Sequence, residues 1–138
     1  MKVVFDTNVY VAEALGGDTA GRIVASTHRA SWRIYISQYI LDELVAVMAD
    51  DLGLPRHSAA LAGIRAVRRA HLSEPIPSRH SVPQDASDSE VLRTALRASA
   101  HYLVTNDRHL LAINPYEGLQ IITMAEYRRV LEDQGLFV

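Results

Sequence analysis

The sequence contains no cysteine, which excludes thiol catalysis, disulfide bonds and thiolate metal ligands. Its six histidines show neither the HxxxH nor the HExxH spacing of zinc sites. The chain also lacks a Walker-type glycine loop, the GxGxxG motif of dinucleotide-binding proteins and the GxSxG motif of serine hydrolases. None of these kinds of site is therefore indicated.

Charge and length limit the possible functions further. The formal net charge is -2, so a nucleic acid would have to bind a local basic patch, because the chain has no general positive excess. Its 138 residues predict a single domain over residues 1–138. The first apolar run has only three residues, too few for a secretory signal or a membrane span. We therefore expect a cytoplasmic protein without a membrane partner.

Short apolar runs alternate with helical patterns along the chain. Each run has the length of a buried strand, and several are rich in β-branched residues. This alternation predicts an α/β fold, a three-layer sandwich in which helices flank a central, mostly parallel sheet. The proline-rich stretch HLSEPIPSRHSVPQ is predicted to be an irregular connection. The predicted strands are KVVF (2–5), RIYIS (33–37), HYLVTND (101–107) and LQIIT (119–123).

Capping residues predict where several helices begin. Asp18 or Thr19 can cap a helix that follows TNVYVAEALGG, a segment that has the pattern of a loop or of a helix start. Ser37 can cap the helix QYILDELVAVMAD. Thr123 and Glu126 have the spacing of a capping box for the last helix.

Four acidic residues stand where strands are predicted to end or helices to begin. The carboxyl ends of parallel strands meet at one edge of a sheet, so these acids are expected to converge there. Mg²⁺ and Mn²⁺ prefer carboxylate and water oxygens, and three or four carboxylates can hold one or two such ions. Taken singly, each acid can also be a helix cap or a solvated surface residue. The four residues are Asp6, Glu43, Asp88 and Asp107.

Two of these assignments have a competing neighbour. Glu43 lies on the helix flank that carries Ile40, whereas Asp42 is rotated toward the polar side and is the fallback. Asp88 begins the apolar stripe of its helix, so it is preferred over Asp85 as a ligand. Asp85 is expected to be a structural residue or to support the metal ligands, instead of being a ligand itself.

These motifs resemble the PIN-domain ribonucleases, and among them the VapC-like toxins of bacterial toxin-antitoxin pairs. The resemblance covers essentially the whole chain, through VVFDTNV, LDEL, DASDSEVLRTAL and YLVTNDRHLL in this order. It implies a parallel sheet flanked by helices and an acidic pocket that binds Mg²⁺ or Mn²⁺ and hydrolyses RNA phosphodiester bonds. By position, the catalytic and metal-binding acids are Asp6, Glu43, Asp88 and Asp107, and the residues expected to support them are Asn8, Asp85 and Thr105.

One position departs from the family pattern. The resemblance places His109 where many relatives carry a further aspartate, so the fourth acid can be supplied differently or the site can hold one metal more weakly than two. The mechanism implied by the resemblance is metal-assisted hydrolysis, in which divalent ions acidify the attacking water and stabilise the leaving oxygen. The resemblance also implies an antitoxin partner and a homodimer.

Basic residues far from the acids are candidates for contacting the RNA backbone. Arg65, Arg68 and Arg69 form the densest cluster together with His71, and Arg29 with Arg33 forms a second one. Arginines on an exposed helix are also common without any ligand.

Two other functions fit parts of the pattern. A haloacid-dehalogenase-like phosphatase also has an aspartate after its first strand, but those enzymes typically use a DxD pair, and Asn8 occupies the second place here. A PIN fold that binds RNA or protein without catalysis is the alternative from a different class.

Overall fold

The computed structural model describes residues 1–73 and 86–138. The described part of the chain forms five strands and seven helices. The strands are β1 (Lys2–Phe5), β2 (Arg33–Ile36), β3 (Ala70–Leu72), β4 (Tyr102–Val104) and β5 (Gln120–Ile122). The helices are α1 (Thr7–Ala14), α2 (Asp18–Arg29), α3 (Gln38–Ala46), α4 (Arg56–Arg68), α5 (Ala86–Arg97), α6 (Arg108–Leu111) and α7 (Met124–Asp133).

The strands form one sheet in the order β3-β2-β1-β4-β5, and every pairing is parallel. This confirms the predicted α/β sandwich with a parallel central sheet. The strand order changes direction at β1, which lies between β2 and β4. Ligands of open α/β sheets bind outside the carboxyl ends of the strands at such a switch point. Asp6 follows β1 directly and therefore lies at that position.

The central strands are buried because helices cover both faces of the sheet. Val3, Val4 and Phe5 of β1 have no exposed surface, and Leu103 and Val104 of β4 are equally buried. Strands buried on both faces have continuous apolar sequences, which is why these runs are recognisable in the sequence. None of the helices in the described ranges is long and apolar enough to span a membrane.

Two predicted helix starts are confirmed and one is wrong. The Ser37 hydroxyl accepts a hydrogen bond from the Ile40 amide, and Thr123 and Glu126 form the predicted capping box. Helix α2, in contrast, begins at Asp18 with Gly17 as its cap, instead of using Asp18 or Thr19. A Cβ on residue 17 would lie 2.8 Å from the backbone oxygen of Ala12 in α1, so the tight turn between α1 and α2 needs glycine.

Other segments differ from the sequence prediction in extent. The segment after Asp6 is the helix α1, and α3 continues into a π-helical turn over Val47–Asp51. The stretch HLSEPIPSRHSVPQ contains the end of an unpredicted edge strand, β3, which has only three residues. Because His71 and Leu72 of this strand are both exposed, its sequence lacks the alternation that marks a half-buried strand. Residues 74–84 of the stretch lie outside the described residues.

A buried ion pair ties α1 to the start of β3. Both guanidinium nitrogens at the end of Arg69 donate to the Glu13 carboxylate, at 2.7 and 2.6 Å. The two side chains are only 16% and 11% exposed. The bond to Glu13 raises the pKa of Arg69 above its ordinary value. The pair joins residues that are 56 positions apart in sequence. It holds the last turn of α1 beside the residue that precedes β3.

We expect Glu13→Gln to lower the free energy of unfolding by roughly 2 kcal/mol, because it leaves a largely buried guanidinium without its carboxylate. Urea unfolding followed by circular dichroism measures this change. Glu132→Gln is the matched control, because Glu132 pairs with Arg128 in solvent and such pairs contribute about 1 kcal/mol or less. Equal losses in the two variants would contradict a structural role for the buried pair.

Candidate metal centre

A cavity of about 530 Å³ opens at the carboxyl edge of the sheet, beside the end of β1. All four acids singled out in the sequence line it, although they come from widely separated segments of the chain. Apolar side chains form much of the remaining wall. The lining residues are Asp6, Thr7, Asn8, Val11, Ala12, Leu15, Glu43, Val47, Asp88 and Asp107.

Asp6 is the most constrained of the four acids. Its side chain is buried, and its Oδ1 atom accepts a hydrogen bond of 2.7 Å from the Thr7 amide at the start of α1. Its Oδ2 atom accepts a hydrogen bond of 2.7 Å from the Thr105 hydroxyl and a longer one of 3.5 Å from the Asn8 side-chain amide. Both carboxylate oxygens are therefore held in fixed positions at the base of the cavity.

Burial raises the pKa of Asp6 from 3.8 to about 6. The bonds from Thr105 and Thr7 oppose this rise, while the charges of Glu43 and Asp107 add to it. A carboxylate favours its charged form near a cation and disfavours it near other carboxylates. The raised pKa of Asp6 is thus mainly an effect of burial, with a smaller contribution from the neighbouring acids, and a nearby cation would oppose it.

Thr105 connects two of the acids. It is fully buried at the end of β4, where its hydroxyl donates to Asp6 and accepts a hydrogen bond of 2.9 Å from the Asp107 amide. A hydroxyl has one proton to donate, so accepting from the Asp107 amide directs that proton toward Asp6. The residue predicted to lie beside the pocket therefore holds the Asp6 carboxylate and the Asp107 backbone through one oxygen.

Glu43 and Asp42 are adjacent in sequence but lie on different sides of α3. Glu43 is half-buried, lines the cavity and accepts a hydrogen bond of 3.2 Å from the Tyr39 hydroxyl. Asp42 is exposed, accepts a hydrogen bond from Gln38 and lines a different cavity together with Arg56. Of the two acids, Glu43 is the one beside Asp6, so the fallback residue lies outside this site.

Asp88 lies in the first turn of α5 and is buried together with Val91 and Leu92. A buried carboxylate is costly unless other groups or a metal stabilise it. Its place on the buried stripe is the one expected from the sequence. Asp85, the proposed supporting residue, lies outside the described residues.

Asp107 both caps α6 and lines the cavity. Its Oδ1 atom accepts hydrogen bonds from the His109 and Leu110 amides, at 2.7 and 3.4 Å, so the residue is a helix cap. It also lines the cavity. Capping fixes the direction of this carboxylate relative to Asp88 across the cavity.

His109 is the residue that the sequence reasoning undervalued. Its Nδ1 atom lies 3.9 Å from a carboxylate oxygen of Asp88 and 3.9 Å from one of Asp107, and its side chain is 41% exposed. Ligand atoms of these three residues lie within 4.8 Å of one another. The signal in the sequence is the spacing of Asp107 and His109, which places both in one short turn.

Two overlapping sets of ligands result. One set is the four acids that line the cavity, and the other is the group of Asp88, Asp107 and His109. Asp6 also interacts electrostatically with two of the other acids, because the charges of Glu43 and Asp107 add to the rise in its pKa that burial causes. Carboxylate oxygens suit Mg²⁺ and Mn²⁺, and no arginine or lysine is among the described residues that line the cavity. The donor set fits a hard divalent cation.

The predicted RNA-binding arginines lie away from this cavity. Arg68 ends α4 and Arg69 precedes β3, so both are at the amino edge of the sheet, opposite the acids. Arg65 is exposed one turn earlier on α4.

We expect the metal-free protein to lose stability as the pH rises through the pKa of Asp6. A carboxyl whose pKa is higher in the folded state contributes stability that is complete below pH 3.8 and lost above about pH 6. The full loss is roughly 3 kcal/mol, with on the order of 1 kcal/mol of it between pH 5 and pH 7. Urea unfolding in a chelator across this range measures the loss.

Asp6→Asn is the control for this titration, because the amide has no proton to lose. The unfolding free energy of the variant minus that of the wild-type protein should increase as the pH rises, because only the wild-type protein loses stability through this titration. A difference that stays constant from pH 5 to pH 7 would contradict the raised pKa of Asp6.

The comparisons with known proteins identify the family of the chain. The family model described as the PIN domain matches residues 2–109, a range that contains all four acids. Among solved structures, the chain is similar to a chain of VapBC2 from Rickettsia felis, in a crystal structure bound to a DNA fragment from their promoter. The match has a TM-score of 0.68 and 17% sequence identity, and covers 89% of this chain and 98% of that one. The sequence matches no curated protein. The chain belongs to the PIN-domain family.

Proposed function

We propose that this protein is a metal-dependent ribonuclease that hydrolyses RNA phosphodiester bonds, and that it is the toxin of a toxin-antitoxin pair. One observation carries the proposal: four carboxylates from four separate segments line one cavity at the switch point of the sheet. Such convergence is costly without a cation. Membership of the PIN-domain family supports the same chemistry.

The residues proposed to hold Mg²⁺ or Mn²⁺ are Asp6, Glu43, Asp88 and Asp107. When bound, such ions supply Lewis-acid stabilisation of a phosphate and make a neighbouring water more acidic. The chain's own contribution is to keep the ligands in place. The Thr105 hydroxyl holds one oxygen of the Asp6 carboxylate and the backbone amide of Asp107, and the Thr7 amide holds the other oxygen of Asp6.

The apolar wall of the cavity is proposed to face the sugar and base next to the cleaved bond. Val11 and Leu15 of the α1 segment and Val47 after α3 form this wall. Asn8 supports the first acid, because its side-chain amide lies 3.5 Å from Asp6. A phosphatase of the DxD type would need a second acid at this position, so the observed contact favours the nuclease.

The proposed biological setting follows from the structural neighbour and the family. VapBC2 of Rickettsia felis was solved with promoter DNA, and its fold is shared by this chain. By analogy we propose a cognate antitoxin that covers the acidic cavity, a homodimer of the toxin, and action on RNA in the cytoplasm.

Incubation of the purified protein with structured RNA and Mn²⁺ or Mg²⁺ tests the activity. We expect cleavage that a chelator abolishes, and a loss on the order of 100-fold in Asp6→Asn and Asp88→Asn, because each removes a charged ligand. Glu43→Gln is expected to lose activity on the order of tenfold or more.

Asp42→Asn is the matched control, since Asp42 is adjacent in sequence but lies outside the cavity. Its cleavage rate should stay close to that of the wild-type protein. Equal cleavage by the wild-type, Asp6→Asn and Asp88→Asn proteins would reject the assignment. Metal-independent RNA binding without any cleavage would favour the non-catalytic binding module.

A further inference from the structure

A second cavity, of about 370 Å³, lies at the amino edge of the sheet, on the opposite side from the acids. The ends of α2 and α4 and the starts of β2 and β3 form its walls. No acidic residue is among the described residues that line it. The basic lining residues are His28, Arg33, Arg68, Arg69 and His71.

The parallel sheet brings these residues together from two separate stretches of sequence. Ile34 of β2 is paired with Ala70 of β3, so the residues that precede them, Arg33 and Arg69, are neighbours at the sheet edge. Helix α4 ends beside them with Arg68. The two arginine clusters that look independent in the sequence thus each contribute to one cavity.

The arginines of the cavity differ in their freedom to bind a ligand. Arg69 is fixed by Glu13. Arg33 and Arg68 are exposed, and neither has an ion pair within residues 1–73 and 86–138. In a chain with a formal net charge of -2, this cavity is a local concentration of positive charge. Such concentrations attract phosphates.

An aromatic ring accompanies the charge. Trp32 lines the cavity and is half-buried, and its ring is stacked at 6.5 Å and 5° on the ring of Tyr102. The stacking holds the indole in one orientation. Proteins that bind single-stranded nucleic acid combine basic grooves with aromatic rings on which bases stack.

We propose that this cavity binds the phosphate backbone of single-stranded RNA through Arg33 and Arg68, beside a base-stacking position on Trp32. This proposal depends on the proposed ribonuclease function in one respect, which is that the function identifies RNA as the ligand. A four-residue strand spans about 13 Å, so the cavity lies beyond the reach of the nucleotide at the acids and engages a different part of the RNA. It is a second binding site for the substrate, separate from the cleavage site.

Fluorescence anisotropy with a labelled single-stranded RNA of about 12 nucleotides tests the site, in a chelator so that no cleavage occurs. The variant carries Arg33→Gln and Arg68→Gln. We expect its dissociation constant to rise about tenfold and its salt dependence to fall by roughly 1.4 in the log-log slope, because two phosphate contacts are lost. Thermal unfolding verifies that the variant is folded.

The control carries Arg56→Gln and Arg129→Gln, two exposed arginines outside this cavity, and loses the same two charges. Its affinity should change by less than about twofold. Equal weakening in both double variants, or tighter binding of duplex DNA than of single-stranded RNA, would overturn the proposal. Because the chelator removes catalysis from the assay, RNA binding at the cavity without any cleavage in Mn²⁺ would reject the nuclease and retain this site.

Discussion

The buried carboxylate of Asp6 is the constraint on which the rest of the site depends. It follows the central strand, where the sheet changes direction, so it cannot move without disturbing the core strand beside it. Two short hydrogen bonds hold it, yet burial and the charges of Glu43 and Asp107 still raise its pKa to about 6. The fold therefore keeps a carboxylate where its charge is unfavourable in the free protein. Carboxylates with such perturbed pKa values are concentrated at functional sites, and a bound cation would lower the pKa of Asp6 instead of raising it.

The parallel sheet separates opposite charges onto its two edges. The carboxyl ends of the strands carry the acidic cavity, and the amino ends carry Arg33, Arg68 and the pair of Arg69 with Glu13. Metal ions and phosphates are attracted to opposite edges as a result. The acidic edge alone would repel the polyanionic substrate that we propose, whereas a basic surface elsewhere on the molecule would attract it. The nearly neutral total charge of the chain conceals this separation.

The sequence predicted those features that depend on local pattern. The buried strands are continuous apolar runs, and Asp6 and Asp88 were recognisable because each adjoins such a run or stripe. The edge strand β3 was missed, because its three residues carry no alternation and its pairing partner is 36 positions earlier. The approach of His109 to Asp88 depends on how α6 packs against α5, and the bond between Glu13 and Arg69 depends on the packing of α1 beside β3. Such tertiary contacts leave no local signal. The same reason explains why the two arginine clusters looked separate.

The position of a bound Mn²⁺ ion in a crystal, located by its anomalous scattering, tests the central claim most directly. We predict a peak within coordination distance of the Asp6 carboxylate and of at least one further acid of the cavity, at about 2.0 to 2.6 Å, the range spanned by Mg²⁺ and Ca²⁺. The peak should disappear in Asp6→Asn crystals. A peak confined to Asp88, Asp107 and His109, with no ligand from Asp6, or no peak at saturating Mn²⁺, would contradict the assignment of this cavity as the metal centre.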